Sequence, residues 1–267
     1  MLIPLADQAT DLGAEIGVFG GSGFYEFLDD CTEIEIATPY GPPASPVSVG
    51  TVAGRRVAFI ARHGRHHDYV AHRVPYRANV WALASVGVRS IVAPCSVGSL
   101  QPDLHPGDLV VVDQIIDRTK DRVDTFHDVG SGDGLPGSDG AVHHQTFAEP
   151  YDATLRSILL DAARSVGGCT VHDGGTMVVI NGPRFSTRAE SLWFRQMGWH
   201  VVNMTGYPEA VLAAEANIPY AAVALVTDYD AGVDGIEPVT QEAVFAVMAS
   251  NVERVKALLL RAIPRLP

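Results

Sequence analysis

Apolar residues in this chain fall into short runs rich in β-branched side chains, each closed by a glycine-rich or polar turn, and the runs alternate with stretches of helical periodicity. Ile16–Gly20, Ser90–Cys95, Leu109–Asp117, Thr176–Ile180, His200–Met204 and Tyr220–Thr227 read as strands. Val47–Val52 and Arg56–Ala61, joined at Ala53-Gly54-Arg55, have the alternation of a hairpin, so some antiparallel pairing is expected. Helices are expected at Pro75–Val86, Tyr151–Ser165, Thr187–Met197, Pro208–Ala216 and Thr240–Leu260. The third opens with Thr187-Arg-Ala-Glu190, a capping-box pattern that satisfies two orphan backbone donors. Residues 130–140 form a loop-like stretch too short to separate domains, and no internal repeat is visible. The alternation of strands and helices implies an α/β fold, one domain over residues 1–267, with a mixed β-sheet flanked by helices.

Composition narrows the function classes. The 267 residues are 47% hydrophobic and 19% charged, enough apolar content for one sizeable core. The most apolar stretch, Ala210–Val226, is interrupted by Glu215, Asn217 and Pro219, so it does not read as a membrane span. The opening MLIPLADQATDLGAE has no basic region followed by an apolar core, and a cytoplasmic location is the expectation. Cys31, Cys95 and Cys169 are odd in number, widely spaced and outside any CxxC, a pattern of reduced thiols. The formal charge of −12 repels polyphosphate backbones, so nucleic acid is not an expected partner. An anionic substrate needs a local basic pocket.

Three constellations carry candidate chemistry. Gly20-Gly21-Ser22-Gly23 follows a strand, where backbone amides and a hydroxyl can gather around a phosphate; the same residues also suit a plain tight turn. They form neither a dinucleotide fingerprint, since Glu26 stands at the last glycine position, nor a Walker loop, since no GK[ST] follows. The pattern is not a nucleophile elbow either, because Phe24 and Gln101 stand at the final glycine positions around Ser22 and Ser99. Arg62-His63-Gly64-Arg65-His66-His67 follows the apolar strand and puts a guanidinium and an imidazole at its carboxyl end, where α/β sheets bind ligands. Arg62, Arg65 and Arg73 would repel a metal cation, so anion binding is the better reading beside a solvated basic loop. Thr227-Asp228-Tyr229-Asp230 ends the last strand; its carboxylates can share one site for proton transfer, or serve as a helix cap.

Together with Ile16–Gly23, Ala61–Arg65, Val80–Leu83, Gly98–Asp108, Asp113–Arg118, Asn181–Glu190, Asn203–Thr205 and Pro208–Leu212, these residues resemble the trimeric purine nucleoside phosphorylases, most closely their methylthioadenosine-cleaving branch, from about Ile16 to Pro264. The resemblance implies a homotrimer that uses inorganic phosphate as co-substrate, with no metal and no organic cofactor. It implies a phosphate site at Ser22, Arg62, His63, Cys95, Ser96 and Thr205, with the Ser96 amide foremost; relatives commonly have threonine or asparagine at Cys95 and alanine at Ser96. Phe185, Ser186 and Met204 would contact ribose and base, and Asp228 and Asp230 would act on the purine, with Asp228, or a water it holds, protonating N7 and hydrogen-bonding the 6-amino group. His144 matches a histidine that completes a neighbouring subunit's site, and Val244 and Phe245 match the lining of the 5′ pocket. Some relatives extend a C-terminal segment over a neighbour's site; this chain stops at Pro267, and a more open 5′ pocket is expected.

The substrate implied is S-methyl-5′-thioadenosine, cleaved to adenine and 5-methylthioribose 1-phosphate. Aspartate at both positions of TDYD favours a 6-amino over a 6-oxo purine, because a site built for an amino donor strands a buried group when offered a carbonyl. The alternatives are a phosphorylase for adenosine or for 6-oxopurine nucleosides, a hydrolytic nucleosidase, and a catalytically silent nucleoside binder.

Overall fold

The structure is a computed structural model that describes residues 12–24, 27–28, 30–127, 144–231, 237 and 239–267. The loop-like stretch at 130–140 and the first eleven residues lie outside the described residues. Among those described, eleven strands join one mixed sheet and five α-helices flank it.

The hub of the sheet is β5 (Ser90–Ser99). One of its edges is covered by the parallel strand β11 (Tyr220–Asp228) from Ile91 to Gly98. The other edge is shared: β1 (Ile16–Gly20) pairs in parallel with Ser90–Val92, and β10 (Val201–Asn203) pairs antiparallel with Gly98–Ser99. Between these partners, residues 93–97 face a gap between diverging strands. Crevices at such points, at the carboxyl ends of strands, are where open α/β sheets take ligands.

Beyond β1 lie β4 (Arg55–Ala61), β3 (Val47–Val52) and β2 (Cys31–Ile34), with β1 and β4 parallel and the other pairs antiparallel. The hairpin is tighter than expected, because β4 begins at Arg55. Ala53 and Gly54 alone make the turn, with φ of 49° and 82°, as a two-residue loop matching strand twist requires. The strand expected over Leu109–Asp117 is two strands. β6 (Leu109–Val111) pairs with β11 and with β8 (Val171–Asp173), whereas β7 (Gln114–Arg118) crosses to pair with β9 (Thr176–Ile180). The break falls at Val112-Asp113, where the Asp113 carboxylate accepts from Gly175 N at 3.0 Å and ties the crossover to the β8–β9 turn. β2 and β8 are short and partly exposed, which is why their patterns do not stand out.

Strand alternation builds two main cores, beside a smaller cluster of Leu100, Val178, Phe194 and Val202. On β11, Ala222, Ala224 and Val226 join one cluster with α1 (Tyr76–Ser85) and α4 (Gly206–Glu215). Ala221, Val223 and Leu225 join the opposite cluster with α2 (Ala153–Val166) and α5 (Gln241–Ala262). The fifth helix, α3 (Arg188–Gln196), carries the expected capping box: Glu190 N donates to Thr187 Oγ1 at 3.2 Å and Thr187 N to Glu190 Oε2 at 2.7 Å. Helical backbone in α4 is regular from Pro208 onward, since Tyr207 is extended, in keeping with proline at the start of a helix.

Candidate active site

A cavity of about 250 Å³ opens at the gap beside β5. Ser22, Arg62, His63, Cys95, Ser96 and Thr205 line one end. Phe185, Met204, Val244 and Phe245 form apolar wall, and Asp228 and Asp230 close the other end. Ser186 is not on the wall, and its hydroxyl lies behind Asp230. His144 is exposed and outside the cavity of its own chain.

The Arg62 end is built for an anion. The turn after β1 brings Gly21 so close that a Cβ there would stand 3.1 Å from Arg62 Nη1, so glycine is what lets backbone and guanidinium converge. Arg62 is 1% exposed and clamped by Glu209, with Nε–Oε2 at 2.5 Å and Nη2–Oε1 at 2.7 Å. Tyr220 Oη donates to the same carboxylate at 2.7 Å. Burial alone would favour discharge of the guanidinium, but the Glu209 carboxylate outweighs it and holds the group cationic, above its ordinary range. The clamp leaves Nη1 buried without a hydrogen-bond partner beside the glycine turn, and a buried cationic donor of this kind calls for an anionic acceptor.

His63 hydrogen-bonds through Nδ1 to the Tyr69 carbonyl at 2.8 Å. Burial pushes its pKa down to about 4, and the Arg62 charge adds to the effect against the opposing Tyr69 contact. The Cys95 thiol, pushed up to about 12 by burial, stays protonated and is a poor nucleophile. The hydroxyl of Ser96 is buried without a partner.

Asn203, at the end of β10, binds the two sides of the gap. Its Nδ2 donates to the Ser96 carbonyl at 2.9 Å, and its Oδ1 accepts from the Thr205 and Gly206 amides, each at 2.7 Å. Arg122 works behind it: Nη2 donates to the Met204 and Asn181 carbonyls, both at 2.9 Å, and Nη1 to the Tyr207 carbonyl at 2.5 Å. Sequence reasoning missed Arg122, Glu209 and Asn203 as site residues, although Glu209 and Asn203 fall inside the quoted motifs. Arg122 and Glu209 act on groups far off in sequence, as Asn203 does in its contact with Ser96, and no local pattern encodes such contacts. It also missed Gln241, a polar residue on the cavity wall one turn before Val244 and Phe245.

At the carboxylate end, β11 gains one residue against β5: Val226 lies opposite Val97 and Asp228 opposite Gly98. The bulge re-aims the strand's end. Gly98 is required there, since a Cβ would lie 2.9 Å from Asp228 Oδ1. Thr227 Oγ1 donates to Asp228 Oδ2 and Asp230 N to Asp228 Oδ1, both at 2.7 Å. Burial nevertheless raises Asp228 to about 6. Burial also raises Asp230, against the pull of the nearby Ser186 and Ser191 hydroxyls, and its Oδ2 has no hydrogen-bond partner. One carboxyl able to carry a proton near neutrality, Asp228, and a second raised by burial, Asp230, face a cationic donor across one small cavity. No cluster of three or more metal-ligating side chains occurs among the described residues.

Known proteins are similar to this chain over nearly its full length. A purine nucleoside phosphorylase of Streptomyces coelicolor is 53% identical over 263 residues, covering 97% of this chain and 92% of its own. An S-methyl-5′-thioadenosine phosphorylase of Mycobacterium tuberculosis is 52% identical over 254 residues, covering 95% and 90%. The solved methylthioadenosine phosphorylase of Schistosoma mansoni in complex with adenine superposes with a TM-score of 0.88 at 38% identity, covering 94% of this chain and 91% of that one. Residues 15–264 match the phosphorylase superfamily, and on these grounds the chain belongs to that family and has its nucleoside phosphorylase fold.

Proposed function

We propose that this chain catalyses phosphorolysis of S-methyl-5′-thioadenosine, giving adenine and 5-methylthioribose 1-phosphate. The observation that carries the reading is the pairing, across one cavity, of the unpartnered Arg62 Nη1 with the raised Asp228 carboxyl. Arg62, the Gly21-Ser22 turn, the Ser96 amide and Thr205 hold hydrogen phosphate below the anomeric carbon. Phe185 and Met204 pack on base and ribose, and Val244 and Phe245 receive the apolar 5′ group. A phosphate oxygen forms the new bond to C1′ as the C1′–N9 bond breaks. The electron pair of that bond passes into the purine, and a proton from Asp228 at N7 neutralises it. Asp230 orients Asp228, whose other carboxyl oxygen accepts from the 6-amino group.

Positive charge gathers on the ribose and negative charge on the base, so the protein acts by orientation and by preorganised dipoles. One bond is exchanged for another with no change in oxidation state, so the reaction needs no redox cofactor. We extend the proposal to a homotrimer in which His144 reaches a neighbour's 5′ pocket.

The deciding assay is base release from methylthioadenosine, adenosine and methylthioinosine, each with and without phosphate. The expected outcome is phosphate-dependent adenine release, fastest from methylthioadenosine. A second reading, a phosphorylase with a broader or 6-oxopurine preference, is compatible with the Streptomyces coelicolor relative's name, purine nucleoside phosphorylase; faster cleavage of methylthioinosine would establish the 6-oxopurine preference. Cleavage independent of phosphate would overturn both.

A further inference from the structure

The phosphate end of the cavity holds little net positive charge. Arg62 is matched by the Glu209 carboxylate, both 1% exposed. His63 is the next candidate donor, but its geometry limits what it offers. A carbonyl oxygen has no hydrogen to give, so the 2.8 Å contact with Tyr69 O places the proton of the neutral ring on Nδ1. Nε2 is then the nitrogen left for a ligand in the cavity, and it carries a lone pair. A second proton is disfavoured first by burial of the ring, then by the Arg62 charge in the same loop and by Arg122 from the segment after β7, with the His67 ring stacked on it at 4.5 Å between centroids. An oxyanion oxygen without a proton would meet this lone pair repulsively, whereas a P–OH group would donate to it.

We propose that His63 Nε2 acts as a hydrogen-bond acceptor that reads a proton on the bound oxyanion, making the site selective for hydrogen phosphate and hydrogen arsenate over sulfate. This rests on the reading of the Arg62 end as the phosphate site. His63 thereby also turns the phosphate's protonated corner toward its own ring and leaves the unprotonated oxygens for Arg62, the backbone amides and the anomeric carbon. The low pKa of His63, about 4, keeps the lone pair available at neutral pH.

The test is calorimetric titration of the protein with inorganic phosphate, arsenate and sulfate, at pH 7.5 and then at decreasing pH. At pH 7.5 phosphate and arsenate carry a proton and sulfate does not; an unmade charged hydrogen bond then predicts about tenfold or weaker binding of sulfate. Sulfate should tighten as the pH falls toward 5 and His63 takes up the missing proton, while phosphate, which brings its own, changes less. In the His63→Gln variant, whose amide can donate, the gap between the two anions should close to within about threefold. Sulfate binding within about threefold of phosphate by the unaltered protein at pH 7.5, or a gap unchanged in His63→Gln, overturns the inference while leaving the phosphate site standing. If His63→Gln does not fold, the anion comparison and its pH dependence decide alone. Failure of phosphate itself to bind, with no phosphate-dependent base release, overturns the underlying reading instead.

Discussion

Asp228 sits at its carboxyl's least comfortable protonation balance. Burial raises it to about 6, although a hydroxyl and a backbone amide both stabilise its ionised form. Ionisation of this buried group is therefore a strain that the folded state carries at neutral pH. Because the folded pKa lies above that of the unfolded chain, the stability contribution is fully present below about pH 4 and is lost as the pH rises through about 6. Asp228→Asn, which cannot ionise, should accordingly be more stable than the parent at pH 8, by about 2–3 kcal/mol, with the difference fading toward pH 4. The same change should lower kcat/KM for methylthioadenosine about 100-fold or more and shift preference toward 6-oxopurines. Denaturant titrations at several pH values, with parallel kinetics, check both. An unchanged rate would remove Asp228 from the chemistry.

The capping box of α3 anchors more than a helix. Glu190 binds the Thr187 backbone and takes both Arg184 guanidinium nitrogens at 2.8 Å, so residues 184–190 close on themselves and carry Phe185 to the cavity wall. Thr187→Ala should cost about 1 kcal/mol of stability, a typical value for a lost N-cap. It should raise KM for the nucleoside severalfold and leave KM for phosphate unchanged, as steady-state kinetics with either substrate varied would show. Equal changes in both would place the effect in the fold and not in the base pocket. The first turns of α5 hold a second lever. Gln241 presents an amide beside Val244 and Phe245, and these positions share one helix face. Gln241→Leu should raise the ratio of kcat/KM for methylthioadenosine over adenosine by about tenfold, since a 5′-hydroxyl loses its polar neighbour. A constant ratio would show that Gln241 does not sense the 5′ substituent.

At the scale of the molecule, several apolar side chains face outward: Leu192, Trp193 and Met197 on and after α3 are 45%, 41% and 55% exposed. His144 is exposed too. Both observations fit a proposed trimer. Sedimentation should give the mass of three chains, and a monomer at micromolar concentration would contradict it. His144→Ala should lower kcat/KM for the nucleoside. Mixed assemblies of His144→Ala and Asp228→Asn chains should recover part of the activity, because a site with intact Asp228 then receives His144 from its neighbour. No recovery on mixing would mean that His144 completes no neighbouring site.

The strands β1, β9 and β11, all five helices, and the cap at Thr187 were legible in the sequence because they follow from local periodicity and from side chains within four residues of the groups they satisfy. The glycine turn, Arg62-His63 and the TDYD end were legible as chemistry for the same reason: each is a short motif at a strand's carboxyl end. What tertiary structure decided depends on groups far apart in sequence. Leu109–Asp117 reads as one apolar run, but it splits because its halves find different partners in β11 and β9. Arg62 is an anion donor with one committed and one uncommitted edge only because Glu209 lies 147 residues away. The protonation of His63 and Asp228 follows from burial, which sequence alone does not specify. Local pattern determined which elements and motifs exist; long-range packing determined which of their donors and protons face the substrate.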